Sequence, residues 1–446
     1  MQPVVSRGEV LSALSYALDL AEGQTAGHVA RTCLIALRAA DELRYGPGQR
    51  RIIFEAALLK DAGCSASSAR VAAALGADDR RAKAELKLVD WTQRRERVRY
   101  AARLVLPDAP LRQRARRLAV LAVHPELQRE FVQARCERGA QIARELGFPD
   151  EVAAAVLALD EHWDGHGQPH QLAGPDIPPV SRLLCAAQSL EVFATRHGLA
   201  RAWTMLRLRR GRWFEPAVVD ALEATAADAP FWDALLAGEL EGHLPELAPA
   251  PEAQAADEAW LDRIAAGFAA VIDAKSPYTA VHSRRVAAIA TEIAMELGLP
   301  ADERRELHRA GLLHDIGKLG LSNRILDKPG ALTVSELAQV RVHPRHTADI
   351  LCRVRRFEGL ARDAAAHHER LDGSGYPDGL RAGRLSSPAR ILAVADVYEA
   401  LTSDRPYRPA LSVEQAVGEL RRDAGPRLDR AATEALVATL ASQAAA

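Results

Sequence analysis

The sequence has few aromatic residues, few cysteines and no excess of either charge. Phe, Trp and Tyr make up 5% of the 446 residues, and this scarcity, together with abundant Ala, Leu and Arg, argues against a β-sandwich and favours helices. The five cysteines are scattered and form no CxxC pair, which excludes a disulfide framework and indicates free thiols in a reducing compartment. The 58 Lys and Arg residues balance 59 Asp and Glu residues, so bulk charge indicates neither a nucleic-acid nor a membrane partner.

Long apolar segments are also missing. No uncharged run reaches the roughly 18 residues that a membrane helix needs. The first residues, MQPVVSRGEV, lack the charged-then-apolar order of a signal peptide. We therefore expect a cytoplasmic protein with no membrane partner.

Residues 244–257 separate two largely helical halves. This segment, LPELAPAPEAQAAD, is rich in Pro and Ala and has no apolar periodicity, which predicts a linker. On either side the pattern is helical and no alternation is strong enough to predict a strand. One example is a stripe of four apolar residues, Val286, Ile289, Ile293 and Leu297. Gly298 follows this stripe and predicts the end of the helix.

The two halves resemble each other at two constant offsets. Two pairs of segments are 254 residues apart, TAGHVART (25–32) with TAVHSRRV (279–286) and LLKDAGC (58–64) with LLHDIGK (312–318). Two more pairs are 208 residues apart, LDEHWDGHGQP (159–169) with HHERLDGSGYP (367–377) and PVSRLLCAAQSLEVF (179–193) with SPARILAVADVYEAL (387–401). The first copy therefore contains about 46 additional residues after Cys64. We interpret the pattern as a tandem repeat of one helical fold.

The second copy contains seven residues of the types that bind divalent metals. They are His282, His314, Asp315, His343, His367, His368 and Asp396. Imidazole and carboxylate groups are ligands for iron, manganese and zinc, and this number of ligands suits two ions better than one. Two-metal sites serve phosphate-ester cleavage, because they generate hydroxide near neutral pH and stabilise charge on the phosphoryl group. The sequence therefore predicts several helices that converge on a dinuclear centre.

Neighbouring residues suit contacts with a phosphate ester. Lys318 would share a helical face with His314 if the helix continues there, and His367 and His368 would point about 100° apart on a helix. The Gly-rich loop DGSGYPDGL at 372–380 is either a plain surface loop or a loop that approaches a ligand. The motif SDRPYR contributes two guanidinium groups, which suit phosphate recognition or stacking on a base, from Arg405 and Arg408.

The motifs HDIGKLG, KPGALT, HHERLDGSGYP and ADVYEALTSDRPYR, with His343-Pro344 between them, resemble the HD-GYP family over about 260–425. This family is a branch of the HD-domain metal phosphohydrolases. The resemblance implies hydrolysis of the bacterial messenger cyclic di-GMP to linear dinucleotide or GMP, with iron or manganese as the metals. It also implies that the seven residues above bind the metals, that Asp315 bridges them, and that Lys318 contacts the phosphate and the attacking hydroxide.

The resemblance also extends to the substrate side of the site. Gly375, Tyr376 and Pro377 match the motif that names the family, and Arg405 and Arg408 match candidate substrate contacts. Family members with three metals have Glu four residues before the first His, where this chain has Tyr278. Two metals are therefore expected.

At the same offsets the first copy lacks most of the ligands. His28 and Asp61 remain, whereas the other positions are occupied by Lys60, Arg135, Leu159, Asp160 and Gln188, and Cys64 replaces Lys318. Two remaining ligands cannot hold a dinuclear site, and Lys60 and Arg135 would repel cations from it. We interpret this copy as a degenerate domain with a structural or regulatory role. If the halves fold alike, Lys60 takes the place of His314.

We thus predict an all-α protein with two tandem HD-type domains. A non-catalytic HD-like domain occupies 1–243, a linker 244–257 and an HD-GYP catalytic domain 258–446. The expected function is metal-dependent hydrolysis of a cyclic dinucleotide in bacterial signal transduction, with signalling proteins as further partners through the GYP face. The alternative is a non-catalytic cyclic-dinucleotide receptor or protein-interaction module. The stretch 80–117 has 13 Lys or Arg against four Asp or Glu, and we favour a solvated face or an internal contact over a DNA or RNA site.

Overall fold

The chain folds almost entirely into α-helices. The computed structural model describes residues 5–124, 126–249, 255–279, 281–404 and 408–445. Within these ranges helices and short 3₁₀ turns are connected by loops, and strand-type contacts are limited to isolated bridges such as that of Ser6 with Ala255. The prediction of an all-α protein is confirmed. No helix among the described residues has both the length and the apolar character needed to cross a bilayer.

The described chain divides into two compact units, Val5–Ala256 and a second unit that begins at Asp257. The helices of the N-terminal unit are α1 (Arg7–Glu22), α2 (His28–Glu42), α3 (Pro47–Leu59), α4 (Ser68–Leu75), α5 (Asp79–Leu86), α6 (Arg94–Leu104), α7 (Leu111–Val123), α8 (Glu126–Glu145), α9 (Asp150–Leu157), α10 (Pro179–His197), α11 (Leu199–Leu208), α12 (Pro216–Ala224) and α13 (Ala229–Ala237). Those of the C-terminal unit are α14 (Glu258–Asp273), α15 (His282–Glu296), α16 (Ala301–Leu313), α17 (Asn323–Leu326), α18 (Val334–Val340), α19 (His343–Leu351), α20 (Glu358–Ala365), α21 (Ser387–Thr402), α22 (Val413–Asp423) and α23 (Arg430–Ala445).

The division between the units falls at the end of the predicted linker. The first part of that segment belongs to the N-terminal unit, because a 3₁₀ turn spans Glu241–Leu247 and Leu244 is buried. The following unit begins with Asp257, whose side chain accepts a hydrogen bond from the N–H of Trp260 at 2.7 Å and so caps α14. A defined helix start thus follows directly on the boundary.

The apolar stripe predicted for α15 is only partly correct. Val286 and Ile293 are buried and Ile289 is half-buried, whereas Leu297 is 36% exposed. Leu297 is the C-cap residue of α15, which ends at Glu296, and its N–H still bonds the carbonyl oxygen of Ile293 at 3.0 Å, so the stripe reaches the surface at the end of the helix. Gly298 follows with φ of +73°, which confirms the predicted helix end.

The offset of 254 residues is visible in the hydrogen bonds of both units. In the N-terminal unit the carboxylate of Asp19 accepts a hydrogen bond from the N–H of Val29 at 2.9 Å, one residue inside α2. In the C-terminal unit Asp273 accepts one from the N–H of Ser283 at 3.2 Å, one residue inside α15. Each carboxylate thus fixes the start of the helix that carries the first histidine of its copy.

The offset of 208 residues is visible in the same way. Glu161 accepts a hydrogen bond from the N–H of Leu172 at 3.0 Å, and Glu369 accepts one from the N–H of Leu380 at 2.9 Å. Both buried carboxylates therefore close the glycine-rich loop that follows them. Equivalent loops held by equivalent residues support the interpretation of the chain as two copies of one fold.

Candidate metal centre

The seven residues predicted as metal ligands lie together in the C-terminal unit. All are buried except His368, whose side chain is 18% exposed. His282 and His343 begin α15 and α19, His314 and Asp315 follow the end of α16, His367 and His368 follow the end of α20, and Asp396 lies within α21. Most of these donors are therefore placed by helix ends, where the chain can turn a side chain towards a common point.

Three of the histidines are held in the same tautomer by the backbone. Nδ1 of His314, His343 and His367 lies 2.6–2.7 Å from the carbonyl oxygen of the residue three positions earlier. A carbonyl oxygen only accepts hydrogen bonds, so each ring carries its hydrogen on Nδ1. The lone pair on Nε2 then faces the other side of the ring, which is the arrangement that metal-binding histidines adopt.

The carboxylate of Asp315 lies between two pairs of these rings. Its Oδ2 is 3.3 Å from Nε2 of His282 and 3.4 Å from Nε2 of His314. Its Oδ1 is 3.3 Å from Nε2 of His343 and 3.6 Å from Nε2 of His367. One carboxylate therefore presents a different oxygen to each pair, as a residue that bridges two cations does.

Asp396 and His368 complete the two groups of donors. Oδ1 of Asp396 lies 3.5 Å from Nε2 of His282, and Oδ2 lies 3.6 Å from Nδ1 of His368. The expectation that His367 and His368 diverge on a helix is wrong, because α20 ends at Ala365 and both residues lie in the turn that follows. Their ring centroids are only 4.0 Å apart, so both reach the same cluster.

The groups around Asp315 keep its carboxylate ionised. Burial raises the pKa of Asp315, but His314 and Lys318 outweigh that effect and hold the pKa well below its usual range. Burial also lowers the pKa of His282, whereas the carboxylates of Asp315 and Glu399 raise it, and the balance places the pKa at about 9. A fixed carboxylate surrounded by imidazoles is an environment that attracts cations.

Several polar atoms of the cluster fit a metal better than they fit each other. Among the described residues Nε2 of His282, Nε2 of His314 and Oδ1 of Asp315 are buried and make no hydrogen bond. Buried polar atoms without a partner are costly and rare. The donors form two compact groups, each with its ligand atoms within 4.8 Å of one another, namely His282, His314 and Asp315, and His343, His367 and His368. The residues present therefore fit two divalent ions.

Lys318 reaches the centre by a route that the helical pattern does not predict. α16 ends at Leu313 and a 3₁₀ turn follows at Ile316–Gly320, so the helix does not continue to Lys318. Within this turn Nζ of Lys318 donates to Oδ2 of Asp315 at 2.5 Å, while the side chain stays 20% exposed. The ammonium group thus lies at the open side of the cluster.

The turn after Asp315 is packed against α19. A Cβ on Gly317 would lie 2.0 Å from the carbonyl oxygen of His343, so only glycine fits there. Thr347 fixes the same contact, since its hydroxyl donates to the carbonyl of His314 at 2.8 Å and accepts from the N–H of Gly317 at 3.1 Å. These contacts hold the ligands of the two groups in a constant relation.

The GYP loop lies against the same cluster. The ring of Tyr376 is tilted over that of His368, with centroids 4.7 Å apart. Gly375 approaches the preceding turn so closely that a Cβ would lie 2.5 Å from Cα of Glu369. The carbonyl oxygen of Pro377 accepts a hydrogen bond from Arg345 at 3.3 Å. The loop is therefore part of the wall of the site.

The two predicted arginine contacts have different outcomes. Arg405 lies outside the described residues. The guanidinium group of Arg408 donates to the carbonyl oxygens of Ala400 at 2.8 Å, Leu401 at 3.2 Å and Pro409 at 2.9 Å. The bonds to Ala400 and Leu401 satisfy carbonyls at the end of α21, and the role of Arg408 in substrate binding stays a prediction.

In the N-terminal unit ammonium groups lie among the corresponding residues. Nζ of Lys60 is 2.9 Å from Nε2 of His28 and contacts the carboxylate of Asp61. Nζ of Lys87 is 3.1 Å from Oε2 of Glu22 and 3.4 Å from Oδ1 of Asp61. Glu22 and Asp61 are candidate metal ligands by type, but their charge is already balanced by these two lysines.

A second ion pair replaces ligands of the other group. Arg135 and Asp160, at the positions of His343 and His368, contact each other directly.

Part of the basic stretch 80–117 also turns inwards, since Nζ of Lys83 donates to Oγ of Ser68 at 2.6 Å. The internal contact that we favoured for this stretch is thus present for some of its residues.

Sequence reasoning missed Glu399. Its carboxylate is buried and accepts the hydrogen of Nδ1 of His282, which turns Nε2 of that ring towards Asp315. The N-terminal unit has the same pair, His28 with Glu191. A signal was available, because a glutamate stands at this place in both copies of the aligned segments, 179–193 and 387–401.

The chain matches a known domain family and is similar in sequence to known phosphodiesterases. The HD domain family model matches residues 119–218 and 268–432. The 3'3'-cGAMP-specific phosphodiesterase 3 of Vibrio cholerae is 37% identical over 422 residues, which are 94% of this chain and 92% of that protein. A cyclic di-GMP phosphodiesterase of Pseudomonas aeruginosa is 46% identical over 141 residues, 31% of this chain and 34% of that protein.

A solved structure agrees over the whole length. The crystal structure of a cyclic GMP-AMP-specific phosphodiesterase of V. cholerae matches with a TM-score of 0.68 and 33% identity, and the match covers 98% of both chains. The helical architecture described above is therefore shared with that protein.

Proposed function

The chain belongs to the HD-domain family, in its HD-GYP branch, and on this basis we propose that it is a metal-dependent phosphodiesterase that hydrolyses cyclic dinucleotides. The observation that carries this proposal is the position of Asp315, with one carboxylate oxygen facing His282 and His314 and the other facing His343 and His367. A receptor that only binds ligand has no need of such a donor set.

HD-domain phosphohydrolases depend on divalent metal ions. We infer that Asp315 and Asp396, together with the five histidines, hold two of them, and that the ions are iron or manganese, because mixed imidazole and carboxylate ligands suit these metals. When bound, such ions lower the pKa of coordinated water and stabilise negative charge on a phosphoryl group.

The side chains of the site divide the remaining work. Lys318 directs an ammonium group from the open side of the cluster, where it donates to phosphate oxygens as charge develops on them. Glu399 and the backbone carbonyls hold the imidazole tautomers, so no reorganisation is needed when substrate arrives. Gly375, Tyr376 and Pro377 form a wall that positions the substrate, with Arg405 and Arg408 as candidate contacts beyond it.

Two cyclic dinucleotides are candidate substrates. The motifs of the C-terminal half indicate cyclic di-GMP, whereas the V. cholerae relative that matches over 94% of this chain is named for 3'3'-cGAMP. We infer that the enzyme acts on one or both and releases a linear dinucleotide or mononucleotides. It would do so in the cytoplasm, with signalling proteins as further partners through the GYP face and without DNA or RNA.

We infer that the N-terminal domain, 1–243, does not catalyse. Lys60 contacts His28 and Asp61 directly, and Arg135 with Asp160 closes the second group of positions. Two metal ions cannot enter a cluster whose carboxylates already bind ammonium and guanidinium groups. The predicted linker 244–257, whose first residues pack in the N-terminal unit, then leads into the catalytic domain 258–446.

The test compares the same change in the two copies. The full chain, purified without oxygen, is analysed for metal and assayed for multiple-turnover release of product from cyclic di-GMP and 3'3'-cGAMP, with added manganese or reduced iron. Asp315→Ala should lose metal and activity together, whereas Asp61→Ala, its counterpart in the N-terminal unit, should retain both in the folded fraction. Wild-type metal content or activity in Asp315→Ala would contradict the assignment, and substrate binding without turnover would favour the receptor.

A further inference from the structure

Lysine is rare in this chain, and its few positions are clustered. Of the 58 Lys and Arg residues only six are lysines, three in each unit. Those of the N-terminal unit make the buried contacts described above. Those of the C-terminal unit, Lys275, Lys318 and Lys328, all line one pocket. The other Lys and Arg positions are all arginine, so lysine is confined to these two groups of positions.

This pocket opens beside the metal centre. It has a volume of about 160 Å³, and its wall includes His282 and Asp315. Pockets that enclose a drug-sized ligand have volumes of about 300–1,000 Å³. The pocket is therefore too small for a whole cyclic dinucleotide and can accommodate only one part of it, while the remainder lies at the metal centre or outside.

Lys328 is held in place at this pocket. Its Nζ donates to Oε2 of Glu336 at 2.6 Å, and the same oxygen accepts the N–H of Thr333 at 2.7 Å at the start of α18. An ammonium group has three N–H donors, and the side chain remains 30% exposed, so donors remain for an anion in the pocket. Lys275, whose side chain is buried, also lines this pocket.

The remainder of the lining is aromatic and apolar. Tyr278 lies in the 3₁₀ turn Pro277–Thr279 and is 40% exposed. Ile325, Leu332 and Val340 contribute aliphatic side chains to the same wall. An exposed ring beside aliphatic groups, with ammonium groups in the same pocket, is the combination that accepts a nucleobase attached to a phosphate.

We propose that this pocket binds the half of the cyclic dinucleotide that is not being cleaved. Lys328 contacts the second phosphate and Tyr278 stacks on a base, while Lys318 serves the phosphate at the metal centre. The assignment rests on the proposed function and deepens it, because a cyclic dinucleotide has two phosphates and the metal centre engages one. Lys328 and Tyr278 are then binding residues that distinguish cyclic dinucleotides from simple phosphodiesters.

The test compares two substrates on the full chain. Cyclic di-GMP and 3'3'-cGAMP have the second phosphate and the bases, whereas bis(p-nitrophenyl) phosphate has one phosphate only. Lys328→Met keeps most of the aliphatic stem and removes the charge, and it should raise KM for the cyclic dinucleotide about tenfold or more, because hydrogen bonds to charged groups are strong. The rise in KM that this variant causes for bis(p-nitrophenyl) phosphate should be several times smaller.

A second pair of variants isolates stacking. Tyr278→Ala should raise KM for the cyclic dinucleotide about tenfold, whereas Tyr278→Phe should stay within about threefold of wild type, because a phenyl ring also stacks. Arg422→Ala removes one positive charge from an exposed position on α22 and serves as the charge control.

The outcomes separate the two proposals. In one outcome the wild type turns over a cyclic dinucleotide while Lys328→Met and Tyr278→Ala raise KM equally for both substrates. That result would overturn the subsite alone. A wild type that cleaves bis(p-nitrophenyl) phosphate but neither cyclic dinucleotide would overturn the proposed function and the subsite with it. A selective rise in KM for the cyclic dinucleotide supports both.

Discussion

Glu399 provides a sharp test of the metal centre, because it orients His282 and is not one of the seven predicted ligands. Its carboxylate accepts the hydrogen of Nδ1 of His282 and also accepts a hydrogen bond from Ser403 at 2.6 Å. Glu399→Gln keeps the shape and leaves an amide oxygen that can accept the same hydrogen, but it removes the negative charge. Glu399→Ala removes both the charge and the hydrogen bond.

The expected losses follow from this difference. Partners that orient a metal-binding histidine are typically worth 10- to 100-fold in metal affinity. Glu399→Gln should lower the metal affinity by about tenfold, which corresponds to about 1.4 kcal/mol, because the hydrogen bond is retained. Glu399→Ala should lower the metal affinity by about 100-fold, because the ring of His282 is then free to take the other tautomer.

The assay is competition for metal against a chelator, followed by elemental analysis of the protein. The matched control is Glu191→Gln, since Glu191 makes the same bond with His28 in a unit whose cluster contains lysines in place of metals. Glu191→Gln should leave metal affinity unchanged. Equal metal affinities in wild type, Glu399→Gln and Glu399→Ala would refute the claim that Nε2 of His282 is a metal donor.

Two further substitutions test one lysine in each unit. Lys318→Met should lower kcat about 100-fold or more and leave the metal content at the wild-type level, because Lys318 stabilises charge on the phosphate and does not bind metal. Elemental analysis measures the metal content. Loss of metal in this variant would contradict that role. Lys60→Met should lower the free energy of unfolding of the N-terminal unit by about 3 kcal/mol, the low end for breaking a buried ion pair, since Lys87 still lies 3.4 Å from Asp61. Denaturant unfolding of the full chain measures this change. Metal uptake by Lys60→Met would show that the ammonium group of Lys60 is what keeps ions out of that unit, whereas no uptake would show that the remaining cations also exclude them.

The helical fold and the membership of the site were readable from the sequence, whereas the local path of the chain was not. The constant offsets predicted two copies, and matched hydrogen bonds such as those of Glu161 and Glu369 support them. Errors arose where helices end. Periodicity places Leu297 in a buried stripe and Lys318 on a continuing helix, because it does not show which turn is the last one. α15 stops just before Gly298, a local signal, whereas α16 stops where the turn after Asp315 packs against α19, which is a contact of the folded chain.

Residue type and spacing by themselves determined which side chains could bind metal and which copy had lost them, because ligand chemistry depends on the residue and replacements such as Lys60 are visible in the aligned segments. Only the tertiary structure decided how those donors face one another. The two oxygens of Asp315 address different pairs of histidines because distant helix ends meet there, and the backbone carbonyls beside those ends select the tautomers. Neither the direction of a lone pair nor the meeting of two helix ends is a local property of the chain.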